Sequence, residues 1–505
     1  MQGQHQYQPE LFSQIDYEQL IPRSHLLRRI DRVLDLGFLP GITKSFYAEE
    51  KGRPSIAPDI FVRMVFLQAL YGIDSDRQLC EEVGYNLAYR WFCKLSLTDK
   101  VPDHSSITRI RDRFGEETFA VIFKKVVEQC QQAGLVKAEQ IMMDGSIIRA
   151  NASIYNMVER EGEKSKDDDV DPPQSGTSIY SKDGLSNNDF RQRQIEGKKI
   201  SNKTHVSKSD PESGLSGKAG EAKSLAYKTH SAIDAGSRVI VDCHVTAGSV
   251  SEVKVFQSRI DVIENNLGLK IGEIIADRGY GSAENLDELK TRGITSNIPL
   301  WSSKVGETFF KEVESGFKVD MELKSVICPE GHSMKGPIHD EAGHRDLYSL
   351  ARKICLACPR AKTCLTEHEF KTRGKRFAAP IHHRIFSEVL EKQKEPEFKA
   401  KLWQRMWKME GIFAEAKNNH GLRRARYRGR WKVQTQVYVI STVQNLKRLA
   451  GSVFDGVVAN CAKFLKIHIW LVKFEKSWAL GKKSRSNLLF FNRPIWLLTV
   501  SFYRE

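Results

Sequence analysis

The chain has 505 residues, with 78 Lys and Arg against 63 Asp and Glu, a net charge of +15. Hydrophobic residues at 40% supply a sizeable core and exclude global disorder. No apolar run reaches the about 18 residues that span a bilayer, and the polar start MQGQHQYQPELFSQ lacks a secretory core segment. Nine cysteines, an odd and modest number, argue against a secreted disulfide scaffold and for a reducing cytoplasm. The surplus positive charge points to a polyanionic partner.

In chain order, residues 1–135 read as helical. PDIFVRMVFLQALY (Pro58 to Tyr71) has helical apolar spacing and stops at Gly72. Ser75 with Gln78 forms a capping-box pattern that opens SDRQLCEEV. Ser105 or Ser106 is expected to cap a helix to Phe114 that carries Arg109 and Arg113 on one face, before a second helix from Glu116 to Ala133. A set of short helices with a basic one at the end suits a DNA-docking module, as does a plain packing domain.

Residues 136–300 change texture. QIMMDGSII, AYKTHSAID, RVIVDCHVT, KIGEIIADRGY and ITSNIPLW read as strands, with helices at Ser251 to Leu267 and Ala283 to Arg292. This pattern predicts a mixed α/β sheet. Residues 155–220, rich in Ser, Gly, Lys, Asp and Pro, read as a mobile polar insertion. Residues 301–400 are less regular and hold four cysteines; residues 401–450 return to helix; residues 451–505 form a basic, aromatic tail that the pattern leaves unplaced.

Two carboxylates share a setting. Asp144 in IMMD and Asp277 in IIAD each follow a short apolar strand and precede a glycine within two residues. Strand ends of open α/β sheets carry ligands, and paired acidic residues there suit Mg²⁺ or Mn²⁺ and phosphodiester hydrolysis; singly, each Asp is a turn residue. Glu410 is the candidate third carboxylate, and Lys417, seven residues on and on the same helix face, the candidate phosphate binder. Glu415 lies about 140° around from Glu410 and fits a surface ion-pair network. From Lys371 to Ala450 there are 20 Lys and Arg against six Asp and Glu, so this segment carries most of the net charge. Its densest part, GLRRARYRGRWK, contributes Arg423, Arg424, Arg426, Arg428 and Arg430 with Tyr427 and Trp431 interleaved, a pattern for phosphate contact and base stacking.

From about His25 to Ala450 the sequence resembles the bacterial insertion-sequence transposases of the DDE type. GRPSIAPDIFVRMVFLQALYGIDSDRQLCEEV, LAYRWFCKL and VPDHSSITRIRDRFG resemble the helical domain before the catalytic core, and DGSIIRANAS, AYKTHSAID, VTAGSVSE and ADRGYGS resemble its strand motifs. The resemblance implies an RNase H-like mixed sheet with an N-terminal all-α domain and a cysteine-containing insertion. It also implies Asp144, Asp277 and Glu410 as catalytic metal ligands. The related motif Tyr-x2-Arg-x3-Glu-x6-Lys places Trp403 at the Tyr and Met406 at the Arg, with Lys417 matching and the Arg displaced to Arg405. By the same resemblance the protein would cleave transposon ends with Mg²⁺ or Mn²⁺ and join them to target DNA. It would bind double-stranded DNA at terminal inverted repeats and at the target, act as a homodimer, and sit on nucleoid DNA with no membrane contact. The alternatives are a catalytically inactive, transposase-derived DNA-binding regulator and another RNase H-like nuclease.

Cys355-x2-Cys358-x5-Cys364, preceded by Cys328, has the ligand spacing of a structural Zn²⁺ site, with His332 or His368 as substitutes, or is a set of free thiols. Cys80, Cys93, Cys130 and Cys243 lie in apolar settings and read as core. His104 and His230 read as capping or packing residues; Asp242 lies mid-strand and competes with Asp277 as the second carboxylate, although Cys243 and His244 continue its strand; Tyr280 stacks near DNA or packs the turn.

Overall fold

The computed structural model describes residues 17–47, 55–160, 200–217, 223–300, 304–320, 324–340, 345–380 and 383–453. The tail beyond 453 and most of the polar insertion, 161–199 and 218–222, lie outside these residues. Residues Met1–Leu449 form one compact unit.

In the N-terminal region, α1 (Pro58–Leu70) starts with proline at its first turn and is buried almost all round. The Ser75 side chain accepts from Gln78 N at 3.1 Å and opens α2 (Asp76–Tyr85). The segment α3 (His104–Gln132) is capped by Asp103, not by Ser105 or Ser106, and is broken at Gly115, whose φ of 64° only glycine adopts without strain. Asp76 ties these helices together. Its two carboxylate oxygens take both Arg111 Nη atoms at 2.8 Å, and Gln68 Nε2 donates to it at 2.9 Å.

The core sheet has five main strands: β1 (Gln140–Arg149), β2 (Ser224–Asp234), β3 (Ile240–Ala247), β4 (Glu273–Ala276) and β5 (Thr295–Asn297). Their order is β3-β2-β1-β4-β5, with β2 antiparallel to β1 and β3, and β4 parallel to β1 and β5. This order and direction is the RNase H-like sheet. Ile141, Met142, Met143 and Ile148 of β1 are buried, each worth about 2 kcal/mol of transfer free energy.

A short strand, Gly214–Ser216, extends the β3 edge of β2. The end of the stretch expected to be mobile is therefore built into the sheet, and its buried Asp210 accepts from Tyr227 Oη at 2.5 Å and from Gly429 N at 3.0 Å.

Helices cover the sheet. Along α4 (Glu252–Leu267), Phe256, Ile260, Ile263 and Leu267 recur every three or four residues and are buried. Arg259 of the same helix forks onto Asp242, with Nε 2.8 Å from Oδ2, so Asp242 is a structural ion-pair partner. Next come α5 (Ala283–Thr291), capped by Ser282, and α6 (Pro396–Asn419). The last helix among the described residues, α7 (residues 430–453), closes the open edge of β3 with side-chain amides. Asn445 accepts from Ile240 N at 2.8 Å and donates to its carbonyl at 2.7 Å; Gln434 does the same for Val245 N and Cys243 O at 2.6 and 3.0 Å. These amides replace a neighbouring strand and blunt the exposed edge.

Between α5 and α6 the cysteine region holds its own three-stranded antiparallel sheet, Lys335–Asp340, Arg345–Ser349 and Arg376–Pro380, packed on Phe309, Phe317 and Phe377. It is more regular than its composition predicts. Among the described residues no helix is long and apolar enough to cross a membrane.

Candidate active site

The site follows from strand register. β1 and β4 run parallel, and their last pair is Met143 with Ala276. The next residue on each strand is Asp144 and Asp277, so the two carboxylates stand side by side at the centre of the sheet. Asp277 closes β4 as expected. Asp144 does not end a strand: β1 continues five residues beyond it, to Arg149. Gly145 N donates to Asp144 Oδ1 at 2.8 Å, and Gly279 N to Asp277 Oδ1 at 2.9 Å.

Helix α6 crosses the strands one after another. The Phe398 carbonyl accepts from Asn297 of β5 at 3.1 Å, Lys401 pairs with Glu273 of β4 at 2.9 Å, Arg405 with Asp144 of β1 at 2.7 Å, and Lys408 donates to the Ala235 carbonyl after β2 at 2.8 Å. Arg405, expected on DNA, instead neutralises Asp144. The compensation is incomplete: burial lifts the Asp144 carboxyl to about 6, Arg405 opposes the rise, and neighbouring Asp277 adds to it.

Glu410 is exposed and lies about 140° around α6 from Arg405. The structure thus brings Asp144 and Asp277 together and leaves Glu410 on another face. Among the described residues no three His, Cys, Asp or Glu side chains stand close enough to hold one metal ion. The oxygen donors nonetheless fit a hard divalent cation: two adjacent carboxylates, both half-buried. Glu415 has a different role. It pairs with Lys447, with Arg448 at 3.1 Å and with His420 at 3.4 Å. Burial alone would raise its carboxyl, but these partners hold it well below the ordinary glutamate value.

The arginine segment joins the site through β1. Arg149 N donates to the Arg423 carbonyl at 3.2 Å, and Ala425 N to the Arg149 carbonyl at 2.8 Å. Arg149, Arg423, Arg424 and Arg428 are exposed there, with Arg424 and Arg428 held on Asn151 at 3.1 and 3.0 Å. Arg430 is half-buried, and its backbone N donates to Glu212 at 2.8 Å. Arg426 departs from the expectation: its Nε and Nη2 are buried without a hydrogen-bond partner, and burial lowers its pKa. In the N-terminal helices Arg109 and Arg113 are exposed, Arg109 bonding Ser105 and Arg113 lying over Tyr47. Arg111, which the sequence did not single out, is buried over the Tyr427 ring at 4.6 Å and links these helices to the arginine segment.

Cys328, Cys355, Cys358, Cys364 and His332 line one cavity of about 450 Å³. Cys328 Sγ accepts from His332 N at 3.4 Å and Cys355 Sγ from Lys375 N at 3.3 Å. The thiols share a wall without converging on a point, so the four-cysteine zinc cage expected from spacing is not formed here. Cys93, Cys130 and Cys243 are buried as expected, and Cys80 is half-buried. His230 is buried against Thr246 at 3.0 Å, and burial lowers its pKa to about 3, as fits a packing histidine.

Comparison with known proteins adds two family matches. A family described as Transposase domain (DUF772) matches residues 15–113, and one described as Transposase DDE domain matches residues 327–450. The second takes in the cysteine region, α6 and the arginine segment; Asp144 and Asp277 lie between the two. Two solved structures resemble the chain: a pre-cleavage Mos1 transpososome, at 10% identity, covering 71% of this chain and 82% of that one with a TM-score of 0.16, and a Mos1 transposase paired-end complex with left transposon end, at 9% identity with the same coverage and TM-score. Overlays that loose add nothing to the strand order above. No curated protein matches in sequence. One transposase family model thus matches the helices before the sheet, and another matches the cysteine region, α6 and the arginine segment after it.

Proposed function

We propose that the chain cuts transposon-end DNA and transfers the freed 3′ ends to target DNA at the Asp144–Asp277 pair, with Mg²⁺ or Mn²⁺ as cofactor. The observation that carries this reading is the strand register, which sets two carboxylates side by side, with the Asp144 carboxyl raised by burial against the pull of Arg405. Asp144 and Asp277 would hold the cation, which would supply water activation and charge stabilisation at the leaving oxygen. The chain's own residues then position the DNA. Arg149, Arg423, Arg424 and Arg428 lie at the far end of β1, about 17 Å from Asp144 at the rise of an extended strand, within a few nucleotides of a phosphate held at the aspartates. Glu410 would be the third carboxylate only in a DNA-bound form in which α6 turns that face toward the aspartates, with Lys417 on phosphate.

The helices of residues 1–135, with Arg109 and Arg113 outward, bind the terminal inverted repeats, and two copies pair two ends. The protein works in the cytoplasm on nucleoid DNA. The thiols around the cysteine cavity support structural Zn²⁺, whose binding would draw deprotonated sulfurs together; zinc content of the purified chain tests this. No observation favours the inactive alternative.

The test of the main reading is cleavage of labelled transposon-end DNA with Mg²⁺. Asp144→Asn and Asp277→Asn are each expected to lower cleavage at least about a thousandfold, some 4 kcal/mol of transition-state stabilisation, with end binding near normal. Cleavage retained by both variants would refute it.

A further inference from the structure

A third carboxylate already sits at the aspartate pair. Glu252 is the first residue of α4 and comes off the loop after β3, far in sequence from both aspartates. A Cβ placed on Gly145, the residue after Asp144, would stand 3.3 Å from Glu252 Oε1. A Cβ on Gly279, whose N–H binds Asp277, would stand 3.6 Å from Glu252 Oε2. The Glu252 carboxylate therefore lies between the backbones that carry the two aspartates, in a space kept open by two glycines. Its Oε1 pairs with Lys228 at 2.8 Å, and Lys228 also donates to the Val250 carbonyl at 3.0 Å.

A glutamate in the first turn of a helix is favoured by the helix dipole, and that with Lys228 accounts for its presence. It does not account for Tyr280. This side chain is fully buried against Phe256, and its hydroxyl has no hydrogen-bond partner. Asp144, Glu252 and Asp277 all act on it electrostatically, so it lies within the same cluster. An orphaned buried hydroxyl is costly unless something else meets it. The three carboxylates do not stand within reach of one shared ion as they are; Lys228 holds Glu252 and Arg405 holds Asp144, so the cluster and its orphaned hydroxyl would close on a cation only as these side-chain cations leave.

We infer that Glu252 is a ligand of the divalent-cation site in the DNA-free protein, bridging the Asp144 and Asp277 strands after displacement of Lys228. This rests on the metal reading of the aspartate pair. It assigns the DNA-free site a carboxylate that the DDE pattern does not name.

The test is Mn²⁺ binding to the full chain without DNA, followed by titration calorimetry and by the resonance spectrum of bound Mn²⁺. Glu252→Gln is expected to weaken binding about tenfold or more, as Asp144→Asn does, and to change the spectrum of bound ion. Glu410→Gln is expected to leave both unchanged. Glu252→Asp, which keeps the charge, should recover part of the affinity, and melting curves identify any variant that fails to fold. Wild-type affinity in folded Glu252→Gln, or loss in Glu410→Gln instead, would overturn the inference alone. Failure of the wild-type chain to bind Mn²⁺ would overturn the metal reading and this inference together.

Discussion

Two acidic clusters meet α6, and they are balanced in opposite ways. At Glu415 one carboxylate faces Lys447, Arg448 and His420, and its carboxyl is held far below the ordinary value. At the sheet centre Asp144, Asp277 and Glu252 share Arg405 and Lys228, and the Asp144 carboxyl is pushed up to about 6. The first cluster is satisfied from within and serves as a clasp between α6 and α7. The second carries more negative charge than its own cations neutralise, inside a setting that penalises charge. A protein tolerates such a deficit where an external cation makes it up.

This contrast sets the predictions, from the largest effect to the smallest. Glu415→Gln should destabilise the fold by about 2 to 3 kcal/mol, because it strands cations that are partly buried. Thermal melting would show it, and no divalent ion should restore the loss. An unchanged melting temperature would remove the clasp. Acid should erase the same difference. The folded carboxyl of Glu415 lies below its unfolded value, so its stabilisation is present above the usual glutamate range and is lost as pH falls through and below it. Wild type and Glu415→Gln should differ in stability at neutral pH and converge toward acid; a gap that widens toward acid would contradict the assignment.

Lys447→Met, which leaves Arg448 and His420 in place, should cost about 1 kcal/mol. Arg405→Met separates the clusters further. It should also lower stability, but millimolar Mg²⁺ should recover part of that loss by mass action, as the cation takes the guanidinium's place. Recovery in Lys447→Met and none in Arg405→Met would reverse the comparison. Last, Arg423→Ala, Arg424→Ala and Arg428→Ala should each weaken DNA binding without sequence preference. Each should reduce the salt dependence by about one counterion, whereas Arg426→Ala should act through folding.

Much of this was readable in advance, for local reasons. PDIFVRMVFLQALY carries its own start and stop, and IMMD and IIAD announce buried strands because apolar β-branched and Met runs have few other places to go. The polar face of α7 was harder. Gln434 and Asn445 look like solvent positions and are buried, because the edge of β3 needs donors and acceptors that only an assembled sheet presents. Arg426 was misplaced for the converse reason. It sits in a run of exposed arginines, and only the close approach of the N-terminal helices turns it inward. Asp144 was placed at a strand end because Gly145 reads as a turn, whereas pairing with β2 carries the strand on through it.

The amino-acid order alone determined the alternation of helix and strand, the succession of Asp144, Asp277 and Glu410, and a strongly basic stretch before the last helix. Those properties depend on neighbours a few residues apart, where spacing and side-chain type suffice. Which acid meets which partner was decided only by the tertiary structure: Arg405 on Asp144, Lys228 on Glu252, and Lys447, Arg448 and His420 on Glu415. Charge partners are chosen by distance and burial, and only the folded chain sets these, as where α6 laid across the sheet brings Arg405 onto Asp144.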